Sequence, residues 1–143
     1  MFMEPQVFAI TIAVRDLDAS LAFYRDGLGL PTKGVLGTEF VGSDTEPSGR
    51  VAMFELQGDL VLSLYPASEL AKDAGVSGEY TIGHGFSLRH RVSTPEEVDR
   101  LLERAKVAGA TIVGPVGNRP WGIYSGYFTD PDGHLWEVVC FLN

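Results

Sequence analysis

"FSLRHRVSTPEEVDRLLERAKVAGATIVGP", residues 86–115, changes its hydrophobic period twice. "FSLRHRV" reads as a strand. "TPEEVDRLLERAKVAG" then places Val98, Leu101, Leu102, Ala105 and Ala108 on one face of a helix. Thr94 is its N-cap, Pro95 sits in the first turn, Glu97 completes a capping box and Gly109 ends it. "ATIVGP" returns to extended chain. Further out, "GIYSGYFTD" and "HLWEVVCFL" are two more strands, separated by the turn Asp130-Pro131-Asp132-Gly133. The second half therefore reads β-α-β-β-β.

The first half repeats that order. "VFAITIAV" (7–14) is rich in β-branched residues and too short for a typical helix. Leu17, Leu21, Tyr24 and Leu28 then recur at helical spacing, with Asp16 as N-cap and Gly27 and Gly29 ending the pattern. Short extended pieces follow near 32–36, in "RVAMFEL" and in "DLVLSLYP", the last two joined as a hairpin around Gln57-Gly58. "ASELAKDAG" is a short helix or turn. The repeat predicts a single domain over 1–143: module one at about 5–66, a connector at 67–83, and module two at about 84–143.

The chain has 143 residues, 45% of them hydrophobic, which suits a globular domain. Its net charge of -8, without any Lys/Arg run, argues against nucleic acid or an anionic membrane as partner and favours a small molecule. The lone Cys140 cannot form an internal disulfide, and the N-terminal stretch has neither a basic leader nor a spanning apolar run. The expected location is cytoplasmic.

Two segments carry a resemblance. "VRDLDASLAFYRDGLGL" (14–30) and "YFTDPDGHLWEVV" (127–139) resemble the signature segments of the vicinal oxygen chelate superfamily, which includes glyoxalases, bleomycin-resistance proteins and extradiol dioxygenases. The resemblance implies an α+β fold of two tandem βαβββ modules forming a curled sheet around a cleft. It also implies a homodimer and, in the enzymes, a divalent metal held by His, Glu or Gln from the strands. The matching positions here are Ala9, Ser63, Ser87 and Glu137. Three of these are Ala, Ser and Ser, poor ligands for a catalytic site that normally uses three protein donors. No metal and no cofactor are expected.

The histidines do not replace those ligands. In "HGFSLRH" (84–90), a strand would hold His84 and His90 roughly 20 Å apart, too far to share an ion bound at about 2 Å. Strand alternation puts Ser87, Arg89 and Arg91 on the cleft face and Leu88, His90 and Val92 on the helix face. His134 reads as a strand-start residue, Cys140 as an inert buried thiol, and Asp130 and Asp132 as turn formers.

The same alternation gives a cleft lined by Ser63, Tyr65, Ser87, Arg89, Arg91 and Glu137, with Trp121 and Tyr124 as further aromatic surface or as packing at the module junction or dimer interface. The leading expectation is a small-molecule binding protein of the sequestration or resistance type. The alternatives are a metal-independent isomerase or lyase with Glu137 as catalytic general base, and a metal-dependent lyase or dioxygenase with a displaced site.

Overall fold

The structure, a computed structural model, describes residues 3–81 and 85–143. The strands are β1 (Ala9–Val14), β2 (Val35–Leu36), β3 (Val51–Glu55), β4 (Val61–Pro66), β5 (Ser87–Arg91), β6 (Thr111–Arg119), β7 (Ile123–Thr129) and β8 (Leu135–Phe141). The helices are α1 (Leu17–Ala22), continued by a π-helical turn over Phe23–Gly27, then α2 (Ala67–Ala74), α3 (Gly78–Thr81) and α4 (Pro95–Ala108). Two four-stranded mixed sheets result, ordered β1-β4-β3-β2 and β5-β8-β7-β6. The identical order confirms the internal repeat, and the fold is α+β with two tandem modules. No helix among the described residues is long and apolar enough to cross a membrane.

The chain forms two compact units, one interrupted after Leu21 and resuming at Leu30, the other combining Ala22–Gly29 with the second half. In the first unit, β1 runs parallel to β4, and β4 and β3 are antiparallel. One sheet face buries Ile12, Val14, Ala52, Phe54, Leu62 and Leu64. Each of these side chains larger than Ala52 contributes about 1.5–3 kcal/mol gross on leaving water. Asp16 caps α1 as expected, its Oδ1 accepting the Ala19 N–H at 3.0 Å.

In the second unit β5 runs parallel to β8, and α4 packs on β7 and β8. Thr94 Oγ1 accepts the Glu97 N–H at 3.1 Å, and Glu97 reaches back to the Ser93 N–H at 3.0 Å. Gly126, in the middle of β7, lets the helix approach: a Cβ there would lie 2.6 Å from Leu102 Cδ1. β6 runs past Pro115, where the sequence suggested an end, because the pairing shifts between Val113 and Gly117 and resumes. Such a bulge accommodates a proline that cannot donate to the ladder.

The π-helical turn is fixed inside this unit. Tyr24, fully buried, donates through Oη to Asp130 Oδ2 at 2.6 Å and accepts from Trp136 Nε1 at 3.0 Å. Burial, and then the Asp130 carboxylate, hold the Tyr24 phenol well above the ordinary tyrosine range. Asp130 Oδ1 accepts the N–H groups of Asp132 and His134, both at 2.9 Å, so this carboxylate organises the turn.

Candidate functional site

Pairing registers assign the side chains of the second sheet to its faces. Arg89 stands opposite Glu137, and Glu137 opposite Tyr127. Alternation adds Ser87, Arg91, Phe141, Ser125 and Arg119 to the same face. His90, Trp136, Val138, Cys140 and Tyr124 share the other face, where α4 packs.

Glu137 is the centre of the first group. It is 5% exposed, and Arg89 Nε donates to its Oε1 at 2.9 Å. Tyr127 hydrogen-bonds the same carboxylate. Burial raises the Tyr127 phenol above its ordinary value, and the negative charge of Glu137 and the bond to it push the same way. Arg89 and Arg119 partly oppose them. The Arg89 side chain is 53% exposed, and its guanidinium edges beyond Nε bond no other group among the described residues. Arg91 is exposed and lies over the Phe141 ring at 4.3 Å, a cation–π contact. Arg119 Nη2 donates to the carbonyls of Pro115 and Ser125 at 2.9 and 3.3 Å. Ser125 Oγ, buried on this face, has no hydrogen-bond partner among the described residues.

The remaining expected residues fall elsewhere. Tyr124 Oη donates to Asp99 Oδ1 of α4 at 2.7 Å, on the face opposite Glu137. Trp121 is 71% exposed just before β7. Ser63 and Tyr65 belong to the first unit: Ser63 is buried beside Thr11 and Met53, and Tyr65 Oη donates to the Ser48 carbonyl at 2.6 Å. Ala9 is paired with Val61 in the same sheet.

His90 is exposed at the sheet edge, His134 is buried with its N–H on Asp130, and Cys140 is buried. His84 lies outside the described residues. No three His, Cys, Asp or Glu side chains are grouped to hold a metal among the described residues.

Two grooves lie away from Glu137. One, about 1010 Å³, runs along α4 beside His90 and Val92, where Glu97 and Glu103 alternate with Arg100 and Arg104. The other, about 460 Å³, lies on the first sheet between Thr32, Lys33, Leu36, Met53, Glu55 and Val61. Neither is lined by Glu137, Arg89 or Arg91.

Sequence reading missed Tyr127, Phe141 and Arg119. The signal for the first was available: counting outward from the 130–133 turn pairs Thr129 with Leu135 and Tyr127 with Glu137. The same count pairs Tyr124 with Cys140 and sends it to the helix face.

The sequence model of the Glyoxalase/Bleomycin resistance protein/Dioxygenase superfamily matches residues 6–138. A glyoxalase-related enzyme from Fulvimarina pelagi is similar at 32% identity and a TM-score of 0.77, over 96% of this chain and 88% of that one. A glyoxalase/bleomycin resistance protein/dioxygenase from Nocardioides is similar at 25% identity and 0.74, over 100% and 87%. A lactoylglutathione lyase from Agrobacterium tumefaciens is similar at 25% and 0.67, over 96% and 94%. No curated protein matches significantly.

Proposed function

Because the chain belongs to the glyoxalase/bleomycin resistance protein/dioxygenase superfamily, we propose that it binds a small organic molecule on the face of the second sheet centred on Glu137, without the divalent metal that the resemblance implies for the enzymes. The observation that carries this reading is the state of Glu137. It is the one carboxylate at the four positions where the resemblance implies ligands, and it already accepts from Arg89 and Tyr127. Ala9 offers no donor, and Ser63 and Ser87 offer neutral hydroxyls. That set does not fit a divalent ion of the kind held by imidazole and carboxylate.

Ser87, Arg89, Arg91 and Glu137 are the proposed contacts on this face. A homodimer is part of the same proposal, carried by the resemblance, and a cytoplasmic location is proposed from the lone cysteine and the N-terminal stretch. The second reading makes Glu137 a general base for a carbon acid, favoured by the burial of a carboxylate beside Arg89.

The test is metal loading combined with ligand screening. Protein purified without a histidine tag is challenged with zinc, nickel, manganese and ferrous iron, desalted and assayed by elemental mass spectrometry. A thermal-shift screen of small organic molecules follows on wild type and Glu137→Gln. Low metal occupancy with ligand-induced stabilisation supports the proposal. Close to one metal per chain overturns it, and turnover of a bound carbon acid that is lost in Glu137→Gln with binding retained favours the second reading.

A further inference from the structure

We infer that the molecule bound on this face carries an oxyanion, a carboxylate or a phosphate, and that Arg91 and Arg89 are the groups that grip it. The inference rests on the binding reading above and adds the ligand's chemical class. Its ground is a local reversal of charge. The chain as a whole carries -8, yet this sheet face presents Arg89, Arg91 and Arg119 against the single carboxylate of Glu137.

The three arginines are differently committed. Arg119 is occupied by the carbonyls of Pro115 and Ser125 and serves the bulge of β6. Arg89 spends Nε on Glu137, which fixes its guanidinium while leaving the Nη edges half-exposed. Arg91 gives its face to Phe141 and has no carboxylate partner among the described residues. A guanidinium held by its face over a ring keeps its N–H edge available, and that fork matches an oxyanion in bidentate fashion. Arg89 and Arg91 are two residues apart on one strand and share its face. Ser87, exposed on the same strand and face, adds a hydroxyl donor.

Organic and inorganic anions share the chemistry of the grip. They differ in that an organic body can also cover the half-exposed Phe141 ring, 44% accessible, on which Arg91 lies. Both guanidinium groups are held in place before a ligand arrives, which reduces the ordering cost of binding.

The test uses four probes on the full chain: benzoate, phenyl phosphate, inorganic phosphate and benzamide, titrated by nuclear magnetic resonance with the arginine Nε–H signals as readout. Benzamide keeps the ring and removes the charge. At least tenfold tighter binding of benzoate or phenyl phosphate than of benzamide is expected, with the Arg91 and Arg89 signals shifting. Arg91→Gln should weaken benzoate about tenfold, and Arg91→Lys should recover only part of the loss, because an ammonium lacks the planar fork.

Tighter binding of benzoate than phenyl phosphate assigns a carboxylate, and the reverse a phosphate. Inorganic phosphate binding as tightly as either organic anion overturns the organic part of the inference. Equal affinity for benzoate and benzamide, or an unchanged benzoate affinity in Arg91→Gln, overturns the anionic class and leaves the binding reading intact. If no anion binds while neutral molecules from the thermal-shift screen do, the same conclusion follows. If no small molecule binds and metal loads close to one per chain, the binding reading itself has failed.

Discussion

Arg89→Met tests whether Glu137 is held as the geometry indicates. The contact is 2.9 Å from Nε to Oε1, between a carboxylate side chain 7% exposed and an arginine side chain 53% exposed. With charge centres about 4 Å apart, the gross attraction is roughly 4 kcal/mol at an effective dielectric near 20. Water around the half-exposed guanidinium screens part of this, and Tyr127 continues to bond the carboxylate. Arg89→Met should therefore cost about 2 kcal/mol, most of it the penalty of leaving Glu137 buried with one partner fewer. Glu137→Gln, which keeps an acceptor for both neighbours, should cost about 1 kcal/mol. The double replacement Arg89→Met with Glu137→Gln should return to within about 1 kcal/mol of wild type, because both charges leave together. Urea unfolding near neutral pH, followed by circular dichroism, supplies all three values and their coupling. An Arg89→Met loss below about 0.5 kcal/mol, or strict additivity in the double variant, would refute the argument that this pair positions the carboxylate.

Tyr127 gives a prediction at the alkaline end. Its phenol is raised by burial and by Glu137, so the stability linked to it is fully present below the unfolded value near 10 and falls as pH rises through the folded value. Phenolate absorbance titrated in wild type against Tyr127→Phe should isolate a late-ionising tyrosine, and Glu137→Gln should bring that tyrosine partway down; no change in that variant would show that Glu137 does not act on it. Gly27→Ala tests the close approach of the π-helical turn to α4, since the new Cβ would lie 2.5 Å from Ala108 Cβ. A loss of about 1–3 kcal/mol is expected, largely recovered by adding Ala108→Gly, and an unaltered urea midpoint would mean that the turn does not sit against α4.

Much of this fold is legible because its signals are local. Thr94, Pro95 and Gly109 bound α4 through capping chemistry within a few residues, and the observed helix runs Pro95–Ala108. Alternation along β5 assigned Arg89 and His90 to opposite faces from sequence alone, as the register bears out. What was not legible depends on distant partners. Tyr24 reads as one more apolar helix position, and nothing near it announces that its hydroxyl meets Asp130 and Trp136, more than a hundred residues away. The π-helical turn escapes for the same reason: Leu28 N–H reaches Phe23 O instead of Tyr24 O, a backbone shift that side-chain spacing does not encode. Arg119 lay beyond the apparent end of β6, because Pro115 looked like a terminus and is spanned by a bulge.

The pairing of Arg89 with Glu137 also orders the two functional readings. A general base needs a carboxylate oxygen turned to its substrate, and here Oε1 accepts from Arg89 while Tyr127 bonds the same group. The arrangement as it stands favours holding a ligand over abstracting a proton. An incoming oxyanion, however, competes with Glu137 for Arg89. If it takes that guanidinium, the carboxylate is left with Tyr127 beside a substrate whose developing negative charge faces Arg91. In the general-base reading, proton abstraction on this face would therefore be conditional on anion binding, and a neutral carbon acid should be held without being turned over.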